Sequence, residues 1–227
     1  TQVIRRDFVA NASHELRTPL TLILGYLETL LDEPECDMHL RQKSLGIMKR
    51  HADRMARLVS DMLMLSRVDS PSTAYLKQEE FDLHELAAEV VQRPEIATRR
   101  EEIQLDIAPA TFPMRGDSFY WAQVLFNLLE NALKNNPPPG LRIRLSAHKD
   151  EDGTCRVQVE DNGVGIDAAA LPFIFNRFYR ADTSGKIKGT GLGLAIVKHA
   201  VEAHGGTISA ESEPGKRTIF RICIKGS

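Results

Sequence analysis

The sequence predicts two architectures in one chain: a helical hairpin that dimerises into a four-helix bundle, followed by an α/β sandwich domain. Three observations predict it. Apolar residues recur every three or four positions from Phe8 to Leu65, broken by the acidic, proline-containing DEPECD at 32–37. Alternation of apolar and polar residues then takes over in LRIRLSA (141–147) and CRVQVE (155–160). Two glycine-rich stretches, DNGVGI at 161–166 and GTGLGL at 189–194, each adjoin a regular element.

In the first helix the apolar stripe runs through Phe8, Ala12, Leu16, Leu20, Ile23, Leu27 and Leu30. In the second, Met48, Met55 and Met62 lie one heptad apart, and Ala52, Leu58 and Leu65 fill the intervening turns. A lone hairpin buries only one stripe per helix, so the sequence predicts a homodimer through residues 1–69. SPSTAYLKQEE, residues 70–80, has proline, serine and charge without period and reads as a linker. Residues 81–227 form the α/β domain. FDLHELAAEVVQR (81–93) predicts a helix and IQLDI (103–107) a short strand. Asp117 or Ser118 caps a helix through WAQVLFNLLENALKN (121–135). LRIRLSA and CRVQVE read as half-buried antiparallel strands, LGLAIVKHAVEAH (192–204) as a helix, and GTISAES (206–212) and TIFRICI (218–224) as two more strands. The expected arrangement gathers the helices on one face of an antiparallel or mixed sheet.

Composition narrows the function classes. Hydrophobic residues at 42% and charged residues at 26% of 227 are ordinary globular values. Twenty-nine basic against 31 acidic side chains give a net charge of −2, and so no electrostatic reason to expect nucleic acid or an anionic membrane surface. No apolar run reaches the ~20 residues a bilayer span requires, so this stretch is expected to be soluble and to make no membrane contact. Cys36, Cys155 and Cys223 are scattered and read as reduced thiols. The chain opens without Met in mid-pattern, as part of something longer would.

His14 lies about 160° around the helix from the apolar stripe, so it is a solvent-facing imidazole beside an acid, Glu15. Thr18 and Thr21 share that face. Pro19 removes one helix hydrogen bond, frees the carbonyl of Glu15, and marks a place where the helix bends. The zinc pattern HExxH fails because residue 18 is Thr. Glycine allows close backbone approach, and a helix N-terminus offers unpaired N–H groups to phosphate, so Gly163 and Gly165 after one strand and Gly189, Gly191 and Gly193 before a helix read as two halves of a nucleotide pocket. Gly163 to Ala168 fits the GxGxxA dinucleotide pattern, but the stretch after it lacks the helix and second strand of a βαβ unit, which counts against that fold; a P-loop is out because neither Gly-Lys pair is followed by Ser or Thr at the required spacing. Asn127, Asn131 and Lys134 line one flank of their helix. An amide oxygen is a hard ligand for Mg²⁺, and a nearby lysine suits the phosphates such a metal bridges. Glu130 is either a solvated surface acid or a base that polarises water.

SHELRTPL, NLLENALKN, DNGVGI, FNRFYR and GTGLGL resemble, in order, the H, N, G1, F and G2 boxes of sensor histidine kinases of bacterial two-component systems. The resemblance covers essentially the whole chain, and the wording around His14 is similar to the phosphate-regulon sensors. It implies an ATP-binding domain of the type shared by histidine kinases, gyrase, Hsp90 and MutL. It implies that His14 accepts the γ-phosphate of ATP, that Glu15 is the general base, and that Thr18 positions water when the phosphorylated partner is dephosphorylated. Asn131 would bind Mg²⁺, with Asn127 nearby and Lys134 on the phosphates. Asp161 would accept from the adenine amino group in a pocket shaped by Gly163 and Gly165, with Thr218 near adenine. Phe175 and Phe178 would anchor a lid over 176–188, closed by Gly189, Gly191 and Gly193, and Arg180 would contact the γ-phosphate. A response-regulator receiver domain is the implied protein partner, and the cytoplasmic part of a bacterial inner-membrane protein the implied location.

Three features depart from the family pattern. Asn135 and Asn136 replace an aromatic and a Ser or Thr, and Pro137, Pro138 and Pro139 follow; Arg217 stands where glycine is frequent; and the lid is short. Two other readings compete. A different ATPase of the same fold would lack an exposed histidine on a dimerising hairpin. A nucleotide-binding scaffold without catalysis would be expected to have lost His14, Asn131 or Asp161.

Overall fold

Residues 2–33, 37–68, 76–108, 111–136, 139–181 and 189–225 are described by the structure, a computed structural model. It divides into two units, Thr1–Met64 and Leu65–Ser227. The linker residues 70–75, Cys36, Pro137, Pro138 and lid residues 182–188 lie outside the described residues.

The first unit is built from α1 (Gln2–Asp32) and most of α2 (Met38–Val68). The helix α1 runs on through Pro19, which is buried. Its threonines return their hydroxyls to the carbonyls four residues back: Thr21 to Arg17 at 3.0 Å, and Thr29 to Gly25 at 2.9 Å. Glu15 accepts from Arg54 of α2 at 3.0 Å, an ion pair between the two helices. Leu20, Leu24, Leu27 and Leu31, spaced by four, three and four, are between 41% and 70% exposed and form one apolar stripe. That stripe is turned slightly from the predicted one, because Ile23 and Leu30 are half-buried while Leu24 and Leu31 face outward.

In the second unit the predicted helix over 81–93 is shorter than its pattern. Phe81 and Asp82 belong to a strand, β1 (Glu79–Asp82), and the helix α3 covers Leu83–Val90. Asp82 makes the switch: one carboxylate oxygen accepts from the N–H groups of His84 (2.7 Å) and Glu85 (3.2 Å), which caps α3, and the other accepts from Phe112 (2.9 Å). A short helix α4 (Pro94–Ala97) precedes β2 (Ile103–Ile107). Next, β3 (Pro113–Gly116) pairs antiparallel with β1. The sequence pattern predicts neither of these two strands.

The long helix α5 (Ser118–Asn135) starts where Asp117 caps it. Asp117 is buried; its Oδ1 accepts from Phe119 (3.1 Å) and Tyr120 (3.4 Å), and its Oδ2 from the N–H of Lys77 (3.0 Å). Its own N–H donates to His204 Nε2 at 3.0 Å, which fixes the imidazole with the proton on Nδ1, donating to the Ala200 carbonyl at 2.7 Å. Asp117→Ala removes a cap and strands the Lys77 donor, so it is expected to lower unfolding stability by about 2 kcal/mol or more, read by urea denaturation.

The remaining elements are β4 (Ile143–Lys149), β5 (Cys155–Asp161), α6 (Gly193–Ala203), β6 (Thr207–Glu213) and β7 (Arg217–Ile224). The sheet order is β2-β4-β5-β7-β6; β2 and β4 are parallel and every other pair antiparallel, so the sheet is mixed. Alternation sorts each strand into a dry and a wet side. Ile143, Leu145 and Ala147 of β4, Cys155, Val157 and Val159 of β5, and Phe220 and Ile222 of β7 are buried. On the polar side Arg144 pairs with Asp106 and Arg221 with Glu211. The helices α5 and α6 pack together, and Trp121, Leu125 and Leu129 of the first and Ala195 and Ala200 of the second are buried. Cys155 and Cys223 are free thiols, and burial pushes the Cys155 thiol up to about 11, which leaves it inert.

Candidate active site

The candidate site has two parts, one on each unit. On α1, His14 is exposed, as its position on the wheel requires, and Glu15 follows it half-buried and paired with Arg54. The Thr18 hydroxyl is 3.5 Å from the His14 carbonyl, too long to be held there, so it can turn to a water or a substrate.

The other part gathers at the end of β5. The alternation that buries Cys155, Val157 and Val159 also buries the next residue on that side, Asp161, so the apolar row ends in a carboxylate. Burial raises its pKa, and the Gly163 N–H (3.0 Å) and the Asn136 amide (3.1 Å), both on Oδ1, act against that rise. Thr218, buried on β7, is the direct cross-strand partner of Asp161. The Ser212 hydroxyl donates to the Arg217 carbonyl (2.9 Å) and accepts from the Ile166 N–H (2.8 Å), so the bond of 3.1 Å between it and Thr218 is donated by Thr218. Arg217 is exposed and pairs with Glu211, so this departure leaves Thr218 in place.

The glycines divide by role. Gly165 (φ 71°) has the Glu213 carbonyl 2.5 Å from where a Cβ would be, and the Gly215 N–H donates to Val164 at 2.7 Å, so the loop after β5 is clasped to the β6–β7 turn. Gly191 (φ 71°) accepts from the Phe178 N–H at 2.8 Å, and a Cβ there would meet the Phe178 backbone at 2.8 Å. Phe178 itself has φ 61°, the left-handed region that a bulky residue rarely adopts. These contacts join residues 178 and 191, and Phe175 lies edge-on to Phe220 with ring centroids 6.3 Å apart. Gly189 has open space around its Cβ position, and Gly193 only ordinary contact with Asn127. Arg180 is half-buried on the same segment.

On α5, Asn127 is buried; its amide donates to the Gly193 carbonyl at 3.2 Å, tying α5 to the start of α6. Asn131 is partly exposed, and its Oδ1 accepts from Asn135 at 2.9 Å. Lys134 pairs with Glu130 at 2.8 Å, an i, i+4 contact. The Glu130 side chain is only 15% exposed, so it is not a solvated surface acid. Among the described residues no cluster of three His, Cys, Asp or Glu side chains could cage a metal. The donor set fits Mg²⁺ in the way that ion is usually held, by one or two hard oxygens here plus phosphate oxygens of a nucleotide.

Sequence reasoning missed Asn162 and Asn136 as site-builders. Asn162 holds the loop before β4, accepting from Arg142 N–H at 2.7 Å and donating to Gly140 at 3.0 Å. Asn136 stood out only as a departure.

A buried carboxylate at a strand end, bound by the glycine loop that follows it, and a second glycine stretch at the start of a helix are the parts of a nucleotide-binding domain, in one chain with a helix that presents a histidine to solvent. Residues 4–71 match the His Kinase A (phospho-acceptor) domain, and residues 116–227 match the family described as histidine kinase-, DNA gyrase B-, and HSP90-like ATPase. The phosphate regulon sensor protein PhoR of Pseudomonas aeruginosa is 41% identical over 223 residues, 96% of this chain and 49% of that protein. The sensor protein kinase WalK of Staphylococcus aureus is 37% identical over 225 residues, 97% of this chain and 36% of that protein. Among solved structures, the histidine kinase AdeS of Acinetobacter baumannii superposes with a TM-score of 0.73 at 27% identity, over 93% of this chain and 97% of that one. The fold is also that of the histidine kinase ThkA in complex with the response regulator protein TrrA, with a TM-score of 0.75 at 22% identity, over 97% of this chain and 61% of that one. The chain belongs to the sensor histidine kinases. It spans about half or less of the length of the curated relatives it matches.

Proposed function

We propose that the chain is the kinase core of a two-component sensor of the phosphate-regulon kind. It phosphorylates itself on His14 with ATP, passes the phosphoryl group to an aspartate of a receiver domain, and removes it again. Residues 1–69 are the dimerisation and phosphotransfer hairpin, 70–80 the linker, and 81–227 the ATP-binding domain. The observation that carries the reading is the exposed His14 beside Glu15, in one chain with the buried acceptor Asp161.

A ring nitrogen of His14 attacks the γ-phosphorus, the bond to the β-phosphate oxygen breaks, and ADP leaves. Glu15, oriented by Arg54 at 3.0 Å, takes the proton from the ring. Asp161 and Thr218 hold the adenine end, Gly163 and Gly165 shape its pocket, and Lys134 and Arg180 meet the phosphates. The N–H groups at the start of α6, behind Gly189, Gly191 and Gly193, add a positive dipole end. Mg²⁺, held by Asn131 with Asn127 behind it, would neutralise charge on the phosphates. The exposed stripe Leu20, Leu24, Leu27 and Leu31 supports a homodimer, since a second copy would bury it. No helix among the described residues is long and apolar enough to cross a membrane; the reading as the cytoplasmic part of a membrane-anchored sensor puts any such anchor in another part of the protein.

Incubation with γ-labelled ATP and Mg²⁺ tests the reading. Label stable in base and lost in acid supports it, and no label despite nucleotide binding rejects it. Thr18→Ala is expected to slow dephosphorylation of the receiver by about 10-fold while self-labelling stays within about two-fold, because only the first step needs the positioned water. Equal losses would remove the separate role of Thr18.

A further inference from the structure

The residue after α5 is extended (φ −122°, ψ 113°) and its side chain folds back into the domain, where it is buried. Its amide makes three hydrogen bonds. Asn136 Nδ2 donates to the Ala132 carbonyl at 2.8 Å and to Asp161 Oδ1 at 3.1 Å, and Oδ1 accepts from the Val164 N–H at 2.7 Å. The amide can be oriented only one way, since a carbonyl and a carboxylate need a donor and an N–H needs an acceptor. Its backbone carbonyl accepts from Arg99 at 3.0 Å, and Arg99 also takes the Leu133 carbonyl at 2.6 Å, which fixes the end of α5. A Cβ on Gly163 would lie 1.8 Å from Asn136 Oδ1, so Asn136 fills the space that this glycine leaves.

One side chain therefore joins the end of α5, the end of β5 and the loop after it. Both protein donors to Asp161 fall on Oδ1, and among the described residues none falls on Oδ2. We infer that Asn136 is a positioning residue for base selection: by holding Oδ1 it leaves Oδ2 of Asp161 as the acceptor that an amino group at purine position 6 must meet. This rests on the reading of Asp161 as the adenine contact.

The test compares ATP with purine riboside triphosphate, which lacks the 6-amino group, by displacement of a fluorescent nucleotide from the whole chain. A hydrogen bond to a charged acceptor predicts that the unaltered protein prefers ATP by about 10- to 100-fold. Asn136→Ala is expected to reduce that ratio by about 5-fold or more through weaker ATP binding, with purine triphosphate affinity nearly unchanged. Asn136→Asp, similar in shape but unable to donate, is expected to do the same, and Asn136→Ser, whose hydroxyl can still donate to Oδ1, to restore much of the ratio. A merely structural role would weaken both nucleotides alike; an unchanged ratio in whichever of the first two variants folds overturns the inference. If the unaltered protein binds ATP without preference, the contact to Asp161 fails while nucleotide binding stands; if it binds neither nucleotide, both readings fail.

Discussion

His14→Gln is expected to reduce acid-labile phosphate to background while nucleotide affinity stays within about two-fold of the unaltered chain. The imidazole is exposed and far in sequence from the pocket residues, so its loss leaves no cavity and no buried polar group stranded, and unfolding stability should move by no more than about 0.5 kcal/mol. Glutamine keeps the length and a polar tip but has no nucleophilic nitrogen. Two measurements on one sample therefore separate outcomes: phosphate incorporation, and displacement of a fluorescent nucleotide. Retained base-stable label would move the acceptor to another histidine. Loss of both activities would mean that residue 14 supports the fold or the pocket, against its exposure. A mixed dimer of His14→Gln with Asp161→Asn adds the direction of transfer: label returns if each copy phosphorylates its partner, and does not if each phosphorylates itself.

Much of this site was legible because the informative residues obey local rules. The outward position of His14 follows from a wheel, and α5 follows from a cap and a 3.6 period. The burial of Asp161 was legible too, had the alternation in CRVQVED been followed one residue further. What was not legible is non-local. The strands EEFD and PMRG are four residues long, the first mostly acidic and the second bounded by proline and glycine, and are strands because they pair with each other across 30 residues of chain. The parallel pairing of β2 with β4 is a similar case. Asn136 shows the difference most sharply. Its sequence neighbourhood, a helix end before prolines, predicts only termination, whereas its role comes from Asp161 and Val164, reached 25 and 28 residues later. The Glu130–Lys134 pair is local, and its i, i+4 spacing is visible in the sequence.

Asp161→Asn is expected to make the nucleotide-free protein more stable while lowering ATP affinity by about 100-fold or more. Burial raises the Asp161 pKa above its ordinary value of 3.8, and the Gly163 and Asn136 donors offset this only in part. Between 3.8 and the raised folded value, the folded state holds more protons than the unfolded one, so stability falls as pH rises through that window. Above the window the full penalty of a buried charge is present; below 3.8 it is gone. Asparagine keeps an oxygen for Gly163 and Asn136 but carries no charge, so its advantage should be full near neutral pH and vanish in acid. Thermal melting of the two proteins over a pH series reads this directly. In the pocket the same change works the other way, because an amide with its oxygen on Gly163 and Asn136 turns its NH₂ towards the adenine amino group, donor against donor. A variant that binds ATP normally would remove Asp161 from base recognition. One that loses ATP and is also less stable at neutral pH would mean that its charge is satisfied in the free protein, and that the site is not held in tension for its ligand.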